Sequence, residues 1–204
     1  MFRRPFRRPL VPRPPLPPRG VPPPPIPPLP LIARQALARA NDLMAGGQFA
    51  EAAGIFERLS AEAQQRDMPI RAADLALQAS RAHLAAGAVE AALERARWAL
   101  RLFVASGRPG RISVILPRMT AALRQQGYHA QASQLEQEAA QMLEEAGIPF
   151  SAAVQGVPQP AAERRGTLPA RCEGCGASLV PDEVEWHDAH TAECPYCGTL
   201  AKAT

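Results

Sequence analysis

Through the middle of the chain, apolar residues recur at three- and four-residue intervals, which is the spacing of one face of an α-helix. Ile55, Phe56 and Leu59 illustrate this pattern. Alanine and leucine supply most of the apolar positions between residues 31 and 147, and both residue types favour helix. The pattern predicts a series of amphipathic helices over this region.

Glycines and prolines divide the helical region into six segments that form three pairs. Pro117 falls inside the fifth segment, so this helix is expected either to kink there or to begin late, near Leu116. The predicted helices span approximately residues 31–46, 48–66, 71–86, 89–106, 111–126 and 128–146.

The helical region matches itself when the chain is shifted by 40 residues. Glycine permits the positive φ of a helix–helix corner, alanine lets paired helices approach closely, and proline suits the first turn of a helix. A fixed period of this kind predicts an α-solenoid of about three helix pairs. The matching positions are Gly47, Gly87 and Gly127, then Ala52, Ala92 and Ala132, then Pro69, Pro109 and Pro149.

The segment Gly47-Gln48-Phe49-Ala50-Glu51-Ala52, with Phe56 after it, resembles the turn and second helix of the tetratricopeptide repeat. The period of 40 is longer than the usual unit of about 34 residues. The large residues expected early in each first helix are replaced by Ala36 and Ala76. The resemblance covers roughly residues 31–147 and implies a tetratricopeptide-like array.

In that family the inner face of the first helices generally holds peptides, so the resemblance implies a protein partner bound at this face. Its polar side chains would clamp a carboxylate or a peptide backbone. A solvated helix face is the equally weighted alternative. The partner-binding residues that the resemblance implies are Arg34, Asn41, Asp74, Arg81, Arg124 and Gln125.

All four cysteines of the chain lie near its C-terminus, in two C-x-x-C pairs that are each followed by glycine. The region from residue 171 to residue 204 is too short to bury a core of its own. A tetrahedral metal site closed by four thiolates would hold it together. The sequence therefore predicts a structural zinc ion bound by Cys172, Cys175, Cys194 and Cys197.

The two cysteine pairs and the glycines after them, Gly176 and Gly198, resemble the knuckles of the zinc-ribbon family, which implies a small β-hairpin between them. Iron in a rubredoxin-like site and a redox dithiol are the alternatives to zinc. His187 and His190 are expected to be exposed, since four cysteines already close the site. Trp186 is expected to cover the metal site as part of a miniature core.

The first 30 residues carry six arginines, no acidic residue and many prolines, which predicts a disordered tail. Because the net charge is +4, these six arginines leave −2 for the rest of the chain. The arginines of the tail favour contact with nucleic acid, whereas the acidic residues of the 171–204 region disfavour it. Residues 148–170 lack periodicity and contain four prolines, which predicts a linker.

Together these patterns predict a mainly α-helical protein with four parts: the tail at 1–30, the helical repeats at 31–147, the linker at 148–170 and a zinc ribbon at 171–204. No catalytic motif is found, and a closed metal site leaves no position for substrate. No apolar run is long enough to cross a membrane, and C-x-x-C pairs without an export signal favour a reducing cytoplasm. The expected function is a non-enzymatic adaptor. The alternatives are a nucleic-acid-associated regulator and an electron carrier.

Overall fold

A computed structural model describes residues 29–150 and 166–204. Six α-helices are followed by a small antiparallel sheet, which confirms the prediction of a mainly helical protein built from helix pairs. The predicted tail lies outside the described residues except for its last two positions, as does most of the predicted linker. The helices are α1 Leu31–Ala45, α2 Phe49–Gln65, α3 Pro69–Ala85, α4 Val89–Ala105, α5 Gly110–Gln125 and α6 His129–Glu145.

Every helix of the array ends in the same hydrogen-bonded corner. At the end of α1, Gly47 has a φ of 77° and its N–H donates to the carbonyl of Met44, while the N–H of Gln48 donates to the carbonyl of Leu43. This pair of bonds is the Schellman motif, which satisfies carbonyls that the helix end leaves free. The same corner recurs at positions 67, 87, 107, 127 and 147, so one helix ends every 20 residues and one pair every 40.

One of the six corners lacks glycine. Asp67 has a φ of 56°, a left-handed conformation in which aspartate is tolerated better than most residues with a side chain. The 20-residue spacing is therefore kept by backbone geometry even where the sequence marker changes. This constancy makes all six helices nearly equal in length and gives the array its regular pairing.

Pro117 lies inside α5, which begins at Gly110, so the predicted late start near Leu116 is wrong. Proline removes one backbone donor from the helix interior, but the turns on either side of it remain helical. A buried face that includes Ile112, Ile115 and Met119 stabilises the helix across this position. Tertiary packing outweighs the unfavourable propensity of the proline here.

Residues 166–204, named here the cysteine module, form a three-stranded antiparallel sheet. Its strands are β1 Glu185–Trp186, β2 Thr191–Glu193 and β3 Leu200–Lys202, in the order β1-β2-β3. In the register, Trp186 pairs with Ala192, and Ala192 in turn pairs with Ala201. Thr167 and Thr204 exchange backbone hydrogen bonds, which joins the two ends of the module.

The buried apolar side chains form two clusters, and α3 contributes to both. One cluster joins α1, α2 and one side of α3 to the cysteine module, including all four cysteines. The other joins the opposite side of α3 to α4, α5 and α6. The cysteine module therefore shares the core of the first three helices.

Candidate functional site

The four cysteines are buried and lie together at one point of the cysteine module. Their Sγ atoms are all within 4.8 Å of one another. The Sγ atoms of Cys172 and Cys197 are 3.6 Å apart, and those of Cys175 and Cys194 are 3.8 Å apart. These distances exceed a disulfide bond but match a shared ligand sphere.

Two equivalent backbone turns hold the thiols in place. In the first, the N–H of Gly176 donates to the carbonyl of Cys172, and in the second the N–H of Gly198 donates to the carbonyl of Cys194. Both glycines have a positive φ, of 71° and 74°, as their position after each C-x-x-C suggested. The turns therefore form from local sequence, and the sheet between them brings the two pairs together.

The geometry fits a metal ion. Zinc–sulfur bonds of about 2.3 Å in a tetrahedron place neighbouring sulfurs about 3.8 Å apart, close to the observed separations. Hydrogen bonding with Cys172 raises the pKa of the Cys175 thiol, while it lowers the pKa of Cys197. In the absence of a metal ion the four thiols therefore do not all become thiolates, whereas a bound dication stabilises all four thiolates. This donor set suits zinc and iron alike.

A buried arginine from the helical array lies beside the cysteine cluster. Arg71, in α3, is 1% exposed and interacts electrostatically with Glu193, Cys194 and Cys197. Burial lowers the pKa of Arg71, and the neighbouring negative charges oppose this effect. A dication held by four thiolates carries a net charge of about −2, so the guanidinium offsets part of the charge that metal binding would create.

The cysteine module docks on the array through an acidic residue, Glu183, which is 5% exposed. One carboxylate oxygen of Glu183 accepts a hydrogen bond from Arg81 in α3 at 2.8 Å and one from Arg118 in α5 at 2.6 Å. The backbone carbonyl of Glu183 accepts a further bond from Arg111 in α5. We name Arg81, Arg111 and Arg118 the arginine face.

A buried aspartate positions part of the arginine face. Asp74 in α3 is 3% exposed, and its Oδ1 lies 2.5 Å from Nη2 of Arg111. Burial raises the pKa of Asp74, and the charge of Arg111 opposes this rise. Arg111 is thus held between a side chain of its own array and the backbone of the module. Its guanidinium also lies 5.7 Å above the ring of Phe103.

Two further contacts join the cysteine turns to the array. The side-chain amide of Asn41 in α1 donates to the carbonyl of Cys175 at 2.8 Å. Tyr196, between the two cysteines of the second pair, is buried and hydrogen-bonded to Arg81. Burial raises the pKa of Tyr196 above its usual value of 10.0. The cysteine turns therefore contact α1 and α3 directly.

Three of the six residues predicted to bind a partner, Asn41, Asp74 and Arg81, lie at this junction. The other three make none of the contacts described above. Arg34 is half-buried, Arg124 pairs with Glu136 of α6, and Gln125 is exposed. Their role in partner binding stays a prediction.

Sequence reasoning missed the residues that connect the module to the array, namely Arg71, Arg111, Arg118 and Glu183. A signal was present, because the 171–204 region is acidic while α3 and α5 carry arginines. That acidity was interpreted only as an argument against nucleic acid. The contacts of Glu183 with the arginines span 65 to 102 residues along the chain, so no local pattern reveals the pairing.

The other predicted features of the module are found near its sheet. His187 and His190 are exposed as expected, and Nε2 of His187 lies 3.0 Å from Oε2 of the buried Glu193. Trp186 is half-buried against the shared core, and its indole N–H donates to the carbonyl of Pro181. The acidic turn that includes Glu183 is therefore fixed by an aromatic residue of β1.

No protein-family model matches the chain, and no curated protein or solved structure does either. The resemblances to tetratricopeptide repeats and zinc ribbons therefore rest on the residues and on the geometry described above. None of the helices in residues 29–150 and 166–204 combines the length and apolarity of a membrane span.

Proposed function

We propose that this protein is a non-enzymatic, zinc-binding scaffold whose helical array binds a protein partner. The zinc ribbon formed by the cysteine module would be its stabilising and docking element. The observation that carries this proposal is the docking of the four-cysteine module on α1 and α3, through Asn41 and Arg81, which were predicted to line the inner face of the array. A closed set of four thiolates leaves no coordination position for water or substrate, which favours a structural ion.

The charges of the junction support a protein ligand over nucleic acid. Each residue of the arginine face lies against a carboxylate or a backbone carbonyl. Such mixed acceptors are typical of polypeptides, whereas a nucleic acid presents a row of phosphates. The C-x-x-C pairs favour a reducing compartment, so we place the protein in the cytoplasm.

Metal analysis and partner capture test this proposal together. The purified full-length protein should contain one zinc per chain and be colourless, because a rubredoxin-like iron site would absorb visible light. Tagged full-length protein should retain a protein partner from its native host. Capture should weaken when Arg81→Ala and Arg124→Ala are combined, since both residues belong to the predicted inner face.

The matched control carries Arg66→Ala and Arg101→Ala. The first removes an exposed arginine at the C-cap of α2, and the second removes an exposed arginine from α4. This control should capture the partner like the wild type. Absence of any specifically retained protein, or equal retention by both double variants, would contradict a partner site on the inner face. Iron in place of zinc would support the electron-carrier alternative.

A further inference from the structure

The acidic turn of the cysteine module lies on the arginine face in the manner of a bound peptide. Residues 181–183 precede β1, and Glu183 is the point of closest attachment. Arg81 and Arg118 bind its carboxylate, and Arg118 also lies 3.3 Å from Oδ2 of Asp182. One short segment with two neighbouring acidic residues therefore engages α3 and α5 at once.

The arginine face binds backbone as well as charge. Arg111 donates to the carbonyl of Glu183, so the site includes a neutral acceptor beside a carboxylate. Asp74 lies against the other side of Arg111, which places a fixed negative charge within the site. This charge repels an extended polyanion, whereas a peptide offers a neutral carbonyl at that point. The chemistry fits an acidic peptide.

Burial distinguishes this contact from an ordinary surface ion pair. The Glu183 side chain is 6% exposed, while Arg81 and Arg118 remain more than a third exposed at the edge of the junction. The positive charges of Arg81 and Arg118 lower the pKa of Glu183 against the opposing effect of burial, so its charge is retained. A competing ligand would therefore find partly exposed guanidiniums and would have to displace one buried carboxylate.

We propose that the arginine face is a binding site for acidic peptide segments, and that the turn at residues 181–183 is an intramolecular ligand that occupies it. This inference rests on the proposed scaffold function and specifies its partner: a protein that presents adjacent acidic residues. Such a partner competes with the chain's own cysteine module. The apparent affinity of the partner then depends on the fraction of molecules in which the turn is displaced.

The test uses zinc-loaded full-length protein and a fluorescent peptide with the sequence of residues 178–187, Ser-Leu-Val-Pro-Asp-Glu-Val-Glu-Trp-His. Fluorescence anisotropy measures peptide binding. The Glu183→Gln protein should bind the peptide about tenfold more tightly than the wild type, because loss of the buried charge enlarges the fraction with a free arginine face. Adding Arg81→Gln and Arg118→Gln to this variant should abolish the gain.

Matched controls separate competition from a general charge effect. Glu173→Gln removes one exposed charge from the first cysteine turn and should leave peptide binding at the wild-type level. A peptide carrying D182N and E183Q should not bind. Asp182→Asn, at a side chain that is 69% exposed, should tighten peptide binding two- to threefold, and it decides the question if Glu183→Gln protein loses zinc.

Equal peptide affinities for wild type, Glu183→Gln and Asp182→Asn would overturn the inference, since the turn would then not compete. Displacement of the peptide by single-stranded DNA at equal concentration would also overturn it, because the face would then select charge alone. A host partner that is captured while no zinc-loaded protein binds the acidic peptide would reject this inference but leave the scaffold function standing. Failure to capture a host partner, combined with tight binding of the acidic peptide, would reject the scaffold function but leave this inference standing.

Discussion

The two halves of the helical array differ in what completes their cores. Helices α4 to α6 pack with one side of α3 into a cluster built from helices alone. Helices α1 and α2 pack with the other side of α3 and with the cysteine module, so a sheet and four thiols belong to that core. Eleven of the 17 residues of α3 are buried because it lies between the two clusters.

The metal site therefore belongs to the core of one half of the array. Arg71 and Asn41 reach from the array to the cysteine turns, while the backbone N–H of Leu29, just before α1, donates to the carbonyl of Cys197. Structural metal sites contribute their binding free energy to folding. Metal binding is therefore expected to stabilise α1 to α3 more than α4 to α6.

Chelation is expected to have the largest effect and tests this comparison directly. Removal of the metal from full-length protein should unfold the cysteine module, since structural zinc in small peptides contributes about 10–16 kcal/mol of apparent binding free energy. Amide hydrogen exchange should then rise strongly in residues 166–204, clearly in α1 and α2, and least in α4 to α6. Mass spectrometry of the exchanged peptides provides the measurement.

Addition of zinc to the chelated protein serves as the control and should restore slow exchange in both regions. Unchanged amide hydrogen exchange in α1 and α2 after the module has unfolded would contradict the expectation that the metal site stabilises these helices. The array would then be stable without the module, as the sequence-based division into separate domains suggested.

The sequence predicted the helical array well because its signals are local. Gly47 and Pro69, like their equivalents, determine backbone conformation within a few residues, so the predicted helix boundaries lie within about two residues of those observed. The cysteine site was predicted for the same reason. Each C-x-x-C-G turn forms from five consecutive residues, and only four cysteines exist to be combined.

The docking of the module could not be predicted in this way. Glu183 resembles any other acidic residue of the 171–204 region, and Arg71 resembles any helical arginine that is exposed to solvent. Their burial is determined by the relative placement of α3 and the module, which no periodic pattern encodes. Asn41 and Arg81 were predicted to bind a partner, and the contacts observed for them are within the chain.

Replacement of two buried phenylalanines, one in each core, is expected to have an effect of intermediate size. Phe56 in α2 belongs to the core shared with the module, and Phe103 in α4 belongs to the other core, with neither side chain exposed. Phe56→Ala and Phe103→Ala should each lower the free energy of unfolding by about 3–5 kcal/mol. Only Phe56→Ala should also weaken zinc retention, because it loosens the core that carries the cysteine turns.

Denaturant unfolding gives the first quantity, and zinc transfer to a competing chromogenic chelator gives the second. Zinc transfer from the two variants is compared at denaturant concentrations equally far below each variant's unfolding midpoint, which controls for the general loss of stability. Equal zinc loss from both variants would show that the two cores behave as one cooperative unit and that α3 does not separate them.

The smallest predicted effect concerns α4 and α6, in the half of the array whose buried apolar cluster contains no residue of the cysteine module. Nε and Nη2 of Arg97 in α4 lie 2.5 and 3.1 Å from the two carboxylate oxygens of Glu138 in α6. Burial alone would raise the pKa of Glu138, but the hydrogen bond from Arg97 lowers it below its usual value of 4.5. A lowered pKa means that the ionised carboxylate stabilises the fold, and that this contribution is lost as the pH falls through the lowered value.

Glu138→Gln should therefore reduce the free energy of unfolding by roughly 0.2–1 kcal/mol above about pH 4.5, the range measured for partly exposed ion pairs. The difference from the wild type should close as the pH falls further, while zinc retention stays unchanged at neutral pH. Unfolding of both proteins by urea across this pH range provides the measurement, and other acid-sensitive groups cancel in the difference. A reduced zinc affinity in Glu138→Gln would mean that α6 is coupled to the metal site through α3, and that the two halves of the array are less separate than their cores indicate.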